Sequence, residues 1–411
     1  MADNKWLLTN KIYDEYEKRV AKARFEKEFR NVQEKKEEII NETKKVLSYK
    51  EELIPKVKNM EEVRKDTYDN FDVIQLRYET WENFYGCGTL FMPHCDKKVP
   101  LVFLLCGHGD KGRLTDGFIK MACHLVKNNV AVFIPDNIGQ GDRQDAERKN
   151  HTYCYEPFYL GLSLQGLIVM ETVALIRYFK NHPKIDDKKI GSCGNSGGGT
   201  LNLFLAALAP EISAIAPSGY PCEFSYILSK ERRHCACNIL PGVLKGPEMW
   251  EVLSVFAPKP MLISQGRYDD LIPIDLGQKN ARKVENVYNQ LGKRENFKFA
   301  RTDTKHSWEK DDIVVISNFL FDALGVEKCA EFKDTEVGSF TDLWHIDVIG
   351  KSISTKEMCE NITGKKVPEN IRLCDIFAPK YNGQEIDESM IEKDLGRGDV
   401  MHILAQFESM F

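Results

Sequence analysis

Six apolar runs, separated by helical stretches, constrain the fold of this chain more than any other feature of its sequence. None of the runs alternates with polar residues, which is typical of strands buried on both faces of a parallel sheet. The runs lie at 101–107, 130–136, 189–195, 212–219, 260–266 and 297–303, and the helical stretches lie near 116–127, 157–180, 198–208, 275–291 and 310–324. The sequence therefore predicts an α/β fold with a mostly parallel central sheet flanked by helices.

The region before these runs contains a pair of strand-like segments and a charged, helix-like segment. Residues 71–79 and 84–94 have the composition of paired strands, whereas residues 10–66 are rich in Glu and Lys. Larger side chains recur at roughly helical spacing in the charged segment, namely Tyr13, Tyr16, Val20, Phe29 and Val32. This pattern predicts an amphipathic helical extension over residues 1–66 that packs on one side against an α/β domain over 67–330.

The alternation of strands and helices ends near residue 330, and we expect residues 331–411 to form a small appended unit. Within this unit, residues 343–354 look like a strand and residues 355–362 look like a helix. The closing residues 399–411 are apolar enough to require burial. No motif in the unit indicates its role.

The composition is that of a soluble globular protein. The net charge is −5 and the pI is about 6.1, so nothing predicts attraction to nucleic acid or to an anionic membrane. The N-terminal residues include acidic side chains and lack the apolar core of a secretory signal. Twelve cysteines are scattered through apolar segments without a CxxC pair. These features predict a cytoplasmic protein with reduced thiols.

The stretch IGSCGNSGGGTLN, residues 190–202, places Ser196 among five glycines, directly after a strand-like run and directly before a helix-like one. This context is typical of the G-x-S-x-G nucleophile elbow, in which a strained turn exposes a serine hydroxyl at the end of a sheet. A phosphate-binding loop would require a lysine after the glycines, and none is present. A purely structural glycine turn remains an alternative.

A nucleophilic serine requires a base and an acid that orients the base. Two aspartates, Asp269 and Asp270, follow the run at 260–266, and His306 follows the run at 297–303. Asp269 comes 73 residues after Ser196, and His306 comes 37 residues after Asp269. The order serine, acid, histidine is that of α/β-hydrolases, whereas in trypsin-like enzymes, which share the similar GDSGG motif, both partners precede the serine. Spacing alone does not distinguish Asp269 from Asp270.

Two other histidines and one further loop bear on the site. His345 and His402 also follow the serine, but neither lies in a loop after a predicted sheet strand. The loop CGHGD, residues 106–110, follows the strand predicted at 101–105, and we assign the oxyanion-binding N–H groups to Gly197 and His108. A simple strand-ending turn would explain the glycines of this loop equally well.

Several motifs together resemble the acetyl xylan esterase-like and dienelactone hydrolase-like branch of the α/β-hydrolases. They are KIDDKKIGSCGNSGGGTLNLFLAAL at 184–208, SGYPCEFSYILSKERRHCACNILPG at 218–242, FAPKPMLISQGRYDDLIP at 256–273, and IPDNIGQGDR at 134–143. The resemblance covers about residues 70–325. It implies an α/β-hydrolase catalytic domain with Ser196 as nucleophile, Asp269 as acid and His306 as base. Where this branch often has His-Gly, the chain has Cys106-Gly107, which leaves the local geometry of the oxyanion loop open.

The segment HCACN, residues 234–238, is the one dense group of potential metal ligands in the sequence. Its Cys-x-Cys spacing is tighter than that of most zinc knuckles. Because the segment resembles a stretch of such esterases, a structural or pocket-wall role for His234, Cys235 and Cys237 is expected instead of zinc. We expect no metal and no other cofactor.

The resemblance implies a serine esterase that acts on a small acyl group, acetyl above all, on a carbohydrate or similar small-molecule alcohol through an acyl-enzyme. A peptidase, amidase or acyltransferase with the same three residues is the alternative, as is a catalytically silent interaction protein. The partner is expected to be a small-molecule ester, with no nucleic acid and no membrane. Apolar faces on the two appended segments favour a homo-oligomer.

Overall fold

A nine-stranded sheet forms the centre of the computed structural model, which describes residues 2–27, 30–144, 151, 154–228, 235–334, 339–378 and 380–391. Its strands are β1 (Lys58–Thr67), β2 (Phe71–Glu79), β3 (Tyr85–Pro93), β4 (Val99–Leu105), β5 (Ala131–Pro135), β6 (Ile185–Asn195), β7 (Ala214–Ser218), β8 (Met261–Gly266) and β9 (Phe297–Thr302). They lie in the order β1-β2-β3-β5-β4-β6-β7-β8-β9. The six neighbouring strands β5, β4, β6, β7, β8 and β9 run parallel to one another. Strands β1, β2 and β3 are added at one end by antiparallel pairing. The predicted mostly parallel sheet is confirmed.

Helices cover both faces of this sheet. They are α1 (Ala2–Lys27), α2 (Lys36–Val46), α3 (Asp116–Val126), α4 (Glu156–Tyr159), α5 (Leu164–Lys180), α6 (Gly197–Leu208), α7 (Phe224–Leu228), α8 (Met249–Ser254), α9 (Ile274–Gln290), α10 (Lys310–Leu324), α11 (Thr355–Thr363) and α12 (Leu373–Phe377). The helix predicted near 157–180 is split, because Gly161 has a left-handed φ of 77° and Ser163 caps a new helix start. No helix among the described residues is long and apolar enough to cross a membrane.

The side chains of β4 explain why its sequence shows no polar alternation. Leu101, Phe103 and Leu105 belong to the core that α5, α6, α8 and α9 form on one face of the sheet. Val102 and Leu104 belong to the core that α3 and α10 form on the other face. Burial on both sides leaves no position for a polar side chain, and each such residue stabilises the fold by about 1.5–3 kcal/mol.

The prediction of a helical extension over residues 1–66 is right for α1 and α2 but wrong for residues 58–66. These residues form the edge strand β1, paired with β2 through contacts such as Asp66 with Val73. Charged residues line β1 on both sides, and most of the strand is exposed. An exposed edge strand needs no apolar alternation, so its sequence carries no strand pattern.

The extension packs on one side against the body, as its helical spacing predicts. Ile12, Tyr13 and Tyr16 on α1 are buried in the main core, while Trp6 and Phe25 are exposed. Val32, which also belongs to the predicted apolar face, is buried as well. The side chain of Val20 and the whole of Phe29 lie outside the described residues.

The strand expected over residues 343–354 does not form, and residues 339–344 make a short 3₁₀ turn instead. Buried charged side chains, not a neighbouring strand, satisfy the backbone here. The Ile346 N–H donates to Asp142 Oδ2 at 2.7 Å, and Arg113 Nη2 donates to the Trp344 carbonyl at 2.6 Å. Burial nevertheless alternates from Trp344 to Val348, although no strand ladder accompanies it among the described residues.

The rest of the appended unit packs against the α/β body. The helix expected at 355–362 is present as α11, which contacts α4. On α12, Phe377 is buried with its ring 6.1 Å from that of Phe158 on α4. The apolar segment 399–411 lies outside the described residues.

Candidate functional site

Ser196 lies in a sharp turn between β6 and α6, in a backbone conformation that is strained for a residue with a side chain. Its φ of 57° and ψ of −117° are of the kind that costs on the order of 1–3 kcal/mol. A Cβ on Gly194 would lie 2.6 Å from the carbonyl oxygen of Leu105, and a Cβ on Gly198 would overlap the same oxygen. Glycine is required on both sides of Ser196 because β4 approaches the turn so closely.

The serine turn is held between the neighbouring strand and the loop after β4. The Ser196 N–H donates to the carbonyl of Ser218 at the end of β7, at 3.0 Å. On the other side, a Cβ on Gly107 would lie 2.9 Å from the Cβ of Ser196. The half-buried serine is thereby fixed at the N-terminus of α6, where free helix amides favour negative charge.

Asp269 lies directly after β8 and is held by hydrogen bonds to its own loop. Its Oδ1 accepts from the backbone N–H groups of Leu271 at 2.8 Å and Ile272 at 2.9 Å. Its Oδ2 accepts from the side-chain amide of Gln265 at 2.9 Å. These contacts bury the carboxylate and fix its orientation, whereas Asp270 is exposed to solvent.

His306 lies in the loop between β9 and α10, and its ring is hydrogen-bonded to Asp269. The Nδ1 atom lies 2.8 Å from Asp269 Oδ2. Because an ionised carboxylate can only accept, Nδ1 carries the proton and Nε2 presents a lone pair. That Nε2 is buried and has no hydrogen-bond partner among the described residues, so it is available to a proton donor.

The surroundings of Asp269 keep its carboxyl ionised. Burial opposes ionisation, but the hydrogen bond and charge of His306 and the two backbone N–H groups outweigh it and lower the pKa of Asp269 below its ordinary value. An ionised carboxylate in this place stabilises the charged form of the histidine.

The ring of His306 lies beside the serine turn. Gly219 follows Ser218, whose carbonyl accepts the Ser196 N–H, and has a φ of 60°. A Cβ on Gly219 would lie 3.4 Å from Cε1 of His306. His306 Nε2 and the Ser196 hydroxyl are not hydrogen-bonded to each other, which is common in substrate-free sites. The structure thus brings the three predicted residues together at the end of the sheet where the parallel strands have their carboxyl ends.

The other histidines considered from the sequence do not join this group. His345 Nδ1 lies 2.6 Å from Asp142 Oδ1, in the contact between the appended unit and the loop after β5. His402 lies outside the described residues.

The loop after β4 lies against the serine turn. A Cβ on Gly107 would lie 3.4 Å from the backbone nitrogen of Gly197, so the loop borders the predicted oxyanion donors. Cys106, which replaces the histidine expected from the resemblance, is buried in the core beneath α3 and α10. The replacement therefore packs away from the Ser196 turn, and the backbone of Gly107 and His108 remains beside it.

The IPDNIGQGDR segment, residues 134–143, forms a loop around buried ion pairs. Asp136 binds Arg113 at 2.5 Å and accepts the backbone N–H of the same arginine at 2.7 Å. Arg143 pairs with Glu171 on α5 at 2.6 Å and donates to the Asp136 carbonyl at 3.1 Å. This network anchors the loop at the carboxyl end of β5, next to the loop after β4, where the Asn137 side-chain amide donates to the Cys106 carbonyl at 3.3 Å.

A second group of chemically reactive side chains lies against the first. His108, His151, Cys235 and Cys237 offer four ligand atoms that all lie within 4.8 Å of one another, an arrangement that could hold a metal ion. The sequence suggested His234 as the histidine of this segment, but His234 lies outside the described residues. His151 was missed because nothing in its surroundings in the sequence distinguishes it from a solvated loop histidine.

Comparison with protein families gives a match over just over half of the chain, and comparison with curated proteins gives a distant relative. The family model for acetyl xylan esterase (AXE1) matches residues 27–236, just over half of the chain. A protein of Bacillus subtilis (strain 168) named "Putative hydrolase YtaP" is 22% identical over 184 residues. The aligned segment covers 44% of this chain and 61% of that relative.

Solved structures share the fold at low identity. The structure of methylesterase BT1017 matches with a TM-score of 0.64 and 17% identity, and the match covers 85% of this chain and 78% of that one. A glucuronoyl esterase from Solibacter usitatus matches with a TM-score of 0.54 and 12% identity, covering 70% and 91% respectively. These likenesses confirm the α/β-hydrolase fold expected from the sequence.

Proposed function

The chain belongs to the acetyl xylan esterase family, and from this premise we propose that it is a serine esterase that removes a small acyl group from an alcohol. The family description favours acetyl as the acyl group and a carbohydrate, or a similar small molecule, as the alcohol. One observation carries the proposal. The Nε2 of His306 is buried and unpartnered among the described residues, while Asp269 orients the ring beside the Ser196 turn.

In the proposed reaction, Ser196 Oγ attacks the ester carbonyl carbon while His306 Nε2 takes the hydroxyl proton. The tetrahedral intermediate then collapses, the proton passes from His306 to the leaving alcohol, and an acyl-enzyme remains on Ser196. A water molecule, deprotonated by the same Nε2, attacks the acyl carbon and releases the acid and the free serine. Asp269 holds the ring tautomer and stabilises the imidazolium.

Negative charge develops on the carbonyl oxygen in both steps. We assign its stabilisation to the backbone N–H groups of Gly197 and His108, because the α6 N-terminus and the loop after β4 meet at the serine turn. Donors fixed before the reaction are typically worth about 2.7–4 kcal/mol each in transition-state stabilisation.

The test is the turnover of a short-chain nitrophenyl ester by the Ser196→Ala variant. We expect kcat to fall by on the order of 10⁴-fold or more, and we expect labelling by a fluorophosphonate probe to disappear. Ser213→Ala is the matched control, since the Ser213 hydroxyl donates to the Ile190 carbonyl before β7 begins, away from the site. Wild-type turnover by Ser196→Ala would exclude the proposed nucleophile. A wild-type chain that is neither labelled nor active would indicate a silent scaffold.

A panel of esters separates the proposed activity from related chemistry that uses the same three residues. We expect turnover to decrease as the acyl chain lengthens, and we expect sugar acetates to be hydrolysed. Transesterified product that grows with added alcohol would instead identify an acyltransferase, and faster cleavage of anilides than of esters would identify an amidase.

A further inference from the structure

We propose that His108, His151, Cys235 and Cys237 bind one zinc ion beside the Ser196 turn. The four residues come from three separate loops: the loop after β4, the loop after β5, and the 3₁₀ turn over Ala236–Asn238 together with the residue before it. Each points one nitrogen or sulfur atom to a common point. This inference replaces the expectation, drawn from the sequence, that the chain uses no metal.

The distances are those of a ligand set that surrounds a small ion. His108 Nε2 lies 2.9 Å from His151 Nε2, 3.1 Å from Cys235 Sγ and 3.5 Å from Cys237 Sγ. Zinc binds nitrogen at about 2.0–2.1 Å and sulfur at about 2.3 Å, so a tetrahedral site holds neighbouring ligand atoms about 3.3–3.8 Å apart. The three distances from His108 Nε2 need to change by no more than a few tenths of an ångström to admit the ion, and the remaining pairs of ligand atoms all lie within 4.8 Å.

Hydrogen bonds between the four side chains, including those that the two thiols can donate, satisfy the lone pairs only one contact at a time. His151 Nδ1 lies 2.9 Å from the Ile138 carbonyl, so Nδ1 carries the proton and Nε2 presents a lone pair. His108 Nε2 can carry one hydrogen at most, yet it faces His151 Nε2 and the sulfurs of Cys235 and Cys237. A cation at the centre would satisfy all of these lone pairs at once.

The Ile138 contact is itself typical of a metal ligand. Histidines that bind metals usually donate their second ring N–H to a carbonyl or carboxylate, which fixes the tautomer and orients the ring. Ile138 belongs to the loop that the Asp136 and Arg143 ion pairs anchor, so the outer support of His151 is rigid.

The donor set identifies the ion and its role. Two sulfurs and two imidazole nitrogens suit zinc, whereas magnesium and calcium require oxygen ligands. Four protein ligands fill a tetrahedral site and leave no position for water, so the ion would hold the loops together and would not activate a nucleophile.

The second cluster of potential ligands among the described residues has a different explanation. Cys87, Asp136 and Asp142 also lie close together, but the guanidinium of Arg113 lies among them. It contacts Asp136 at 2.5 Å, Asp142 at 2.7 Å and the Cys87 sulfur at 3.8 Å. The buried guanidinium already lies between these groups and pairs with both carboxylates, so a cation is present without a metal ion.

The zinc site would position the loop that borders the nucleophile. A Cβ on Gly197 would lie 3.2 Å from His108 Nδ1, so the ring of His108 lies against the turn that follows Ser196. Zinc on Nε2 would fix both this ring and the backbone N–H of His108. Only this last consequence rests on the proposed esterase function, because the metal site itself is inferred without it.

The test is the metal content and cobalt spectrum of the purified full-length wild-type protein. We expect about one zinc per chain by inductively coupled plasma mass spectrometry. After chelation and addition of cobalt(II), we expect the visible bands of tetrahedral cobalt together with thiolate-to-cobalt charge transfer. Zinc well below stoichiometric amounts, with no cobalt spectrum, would overturn the proposal.

Substitutions of single proposed ligands test which side chains bind the zinc ion. Cys237→Ser and His151→Gln should each weaken zinc binding by more than the roughly 10- to 100-fold that loss of an outer partner typically costs. Cys329→Ser is the control, because Cys329 is exposed and distant in the fold from the cluster. Full zinc occupancy and an unchanged cobalt spectrum in both ligand variants would exclude these residues as ligands.

Two features keep the outcome independent of catalysis and of folding defects. Ser196→Ala should retain one zinc, so a failure of the esterase proposal leaves this test intact. If a ligand variant does not fold, the wild-type cobalt spectrum decides the question alone, because two thiolate ligands and tetrahedral geometry are read directly from it.

Discussion

At the scale of single residues, the carboxylate of Asp269 is held more firmly than its contact with His306 alone would require. Three of its hydrogen bonds come from its own strand and loop, from Gln265, Leu271 and Ile272. All three hydrogen bonds are donated to the carboxylate oxygens, so the site accommodates a side chain that only accepts hydrogen bonds. The acid is thus fixed before any substrate binds, and the histidine tautomer follows from it.

We expect Asp269→Asn to leave the fold largely intact and to lower kcat by about 10⁴-fold. The amide NH₂ must face either the loop N–H groups, as an unfavourable donor–donor contact, or His306 Nδ1. In the second case it forces the proton onto Nε2, where the proposed base needs a lone pair. Steady-state kinetics with a nitrophenyl ester would measure the loss.

The neighbouring aspartate provides the control for this substitution. Asp270 is exposed, so Asp270→Asn should change kcat by no more than about twofold. Equal losses in the two variants, or a larger loss in Asp270→Asn, would contradict the assignment of the acid.

Residues of the site differ in how far the sequence could predict them. Ser196, Asp269 and His306 each follow an apolar strand, and the carboxyl ends of parallel strands meet at one edge of a sheet, so their proximity could be expected. His108 and His151 meet through the side chains of two irregular loops, 43 residues apart in the sequence. No periodicity links such positions, so only the folded structure reveals their contact.

At the scale of elements, the close approach of β4, β6 and α6 controls the geometry of the serine turn. Gly198 lies in the first turn of α6, and a side chain there would overlap the carbonyl oxygen of Leu105. That oxygen belongs to the backbone of a central strand and cannot move independently. The helix can start at this place only if its first residues carry no side chains towards β4.

We expect Gly198→Ala to lower the free energy of unfolding by about 1–3 kcal/mol, because the new methyl group overpacks the contact with β4. Gly109→Ala is the control, since its Cβ would meet only Thr115 Oγ1, at an ordinary 3.7 Å. Urea denaturation would measure the unfolding free energy of both variants. Equal unfolding free energies in the two variants would show that the β4–α6 contact can relax.

The predicted elements succeed where burial shapes the sequence and fail where it does not. The six apolar runs became strands β4 to β9. The runs in β4 to β8 are buried on both faces, whereas β9 is an edge strand that exposes Lys298 and Arg301. By contrast, β1 is charged and exposed, and its pairing with β2 comes from backbone groups that any sequence supplies. Residues 344–348 alternate in burial, yet their backbone is bonded to distant side chains such as Arg113 and Asp142.

At the scale of the whole molecule, the N-terminal extension is part of the main core. Tyr16 on α1 is 4% exposed, and its hydroxyl donates to the Ser225 carbonyl at 3.4 Å. Arg30 pairs with Glu42 at 2.8 Å and lies 3.5 Å from Glu251 on α8. These contacts join the extension to the segment that follows β7.

We therefore expect Tyr16→Ala to destabilise the whole protein by about 3 kcal/mol in a single cooperative transition. Phe25→Ala on the same helix should change the unfolding free energy by less than about 0.5 kcal/mol, because Phe25 is 72% exposed. Circular dichroism and tryptophan fluorescence in urea would measure the unfolding free energy of both variants. A separate early transition in Tyr16→Ala would indicate that α1 unfolds independently of the body.

The two edges of the sheet bear on how copies of this protein can meet. Charged side chains fill most of β1, and its register with β2 shifts twice, while Lys298 and Arg301 lie on β9 at the opposite edge. Charges and bulges on an edge oppose the addition of a strand from another molecule. Both edges of the sheet therefore disfavour the growth of a fibril by strand addition, so we expect copies of this protein to meet through surfaces other than the sheet edges.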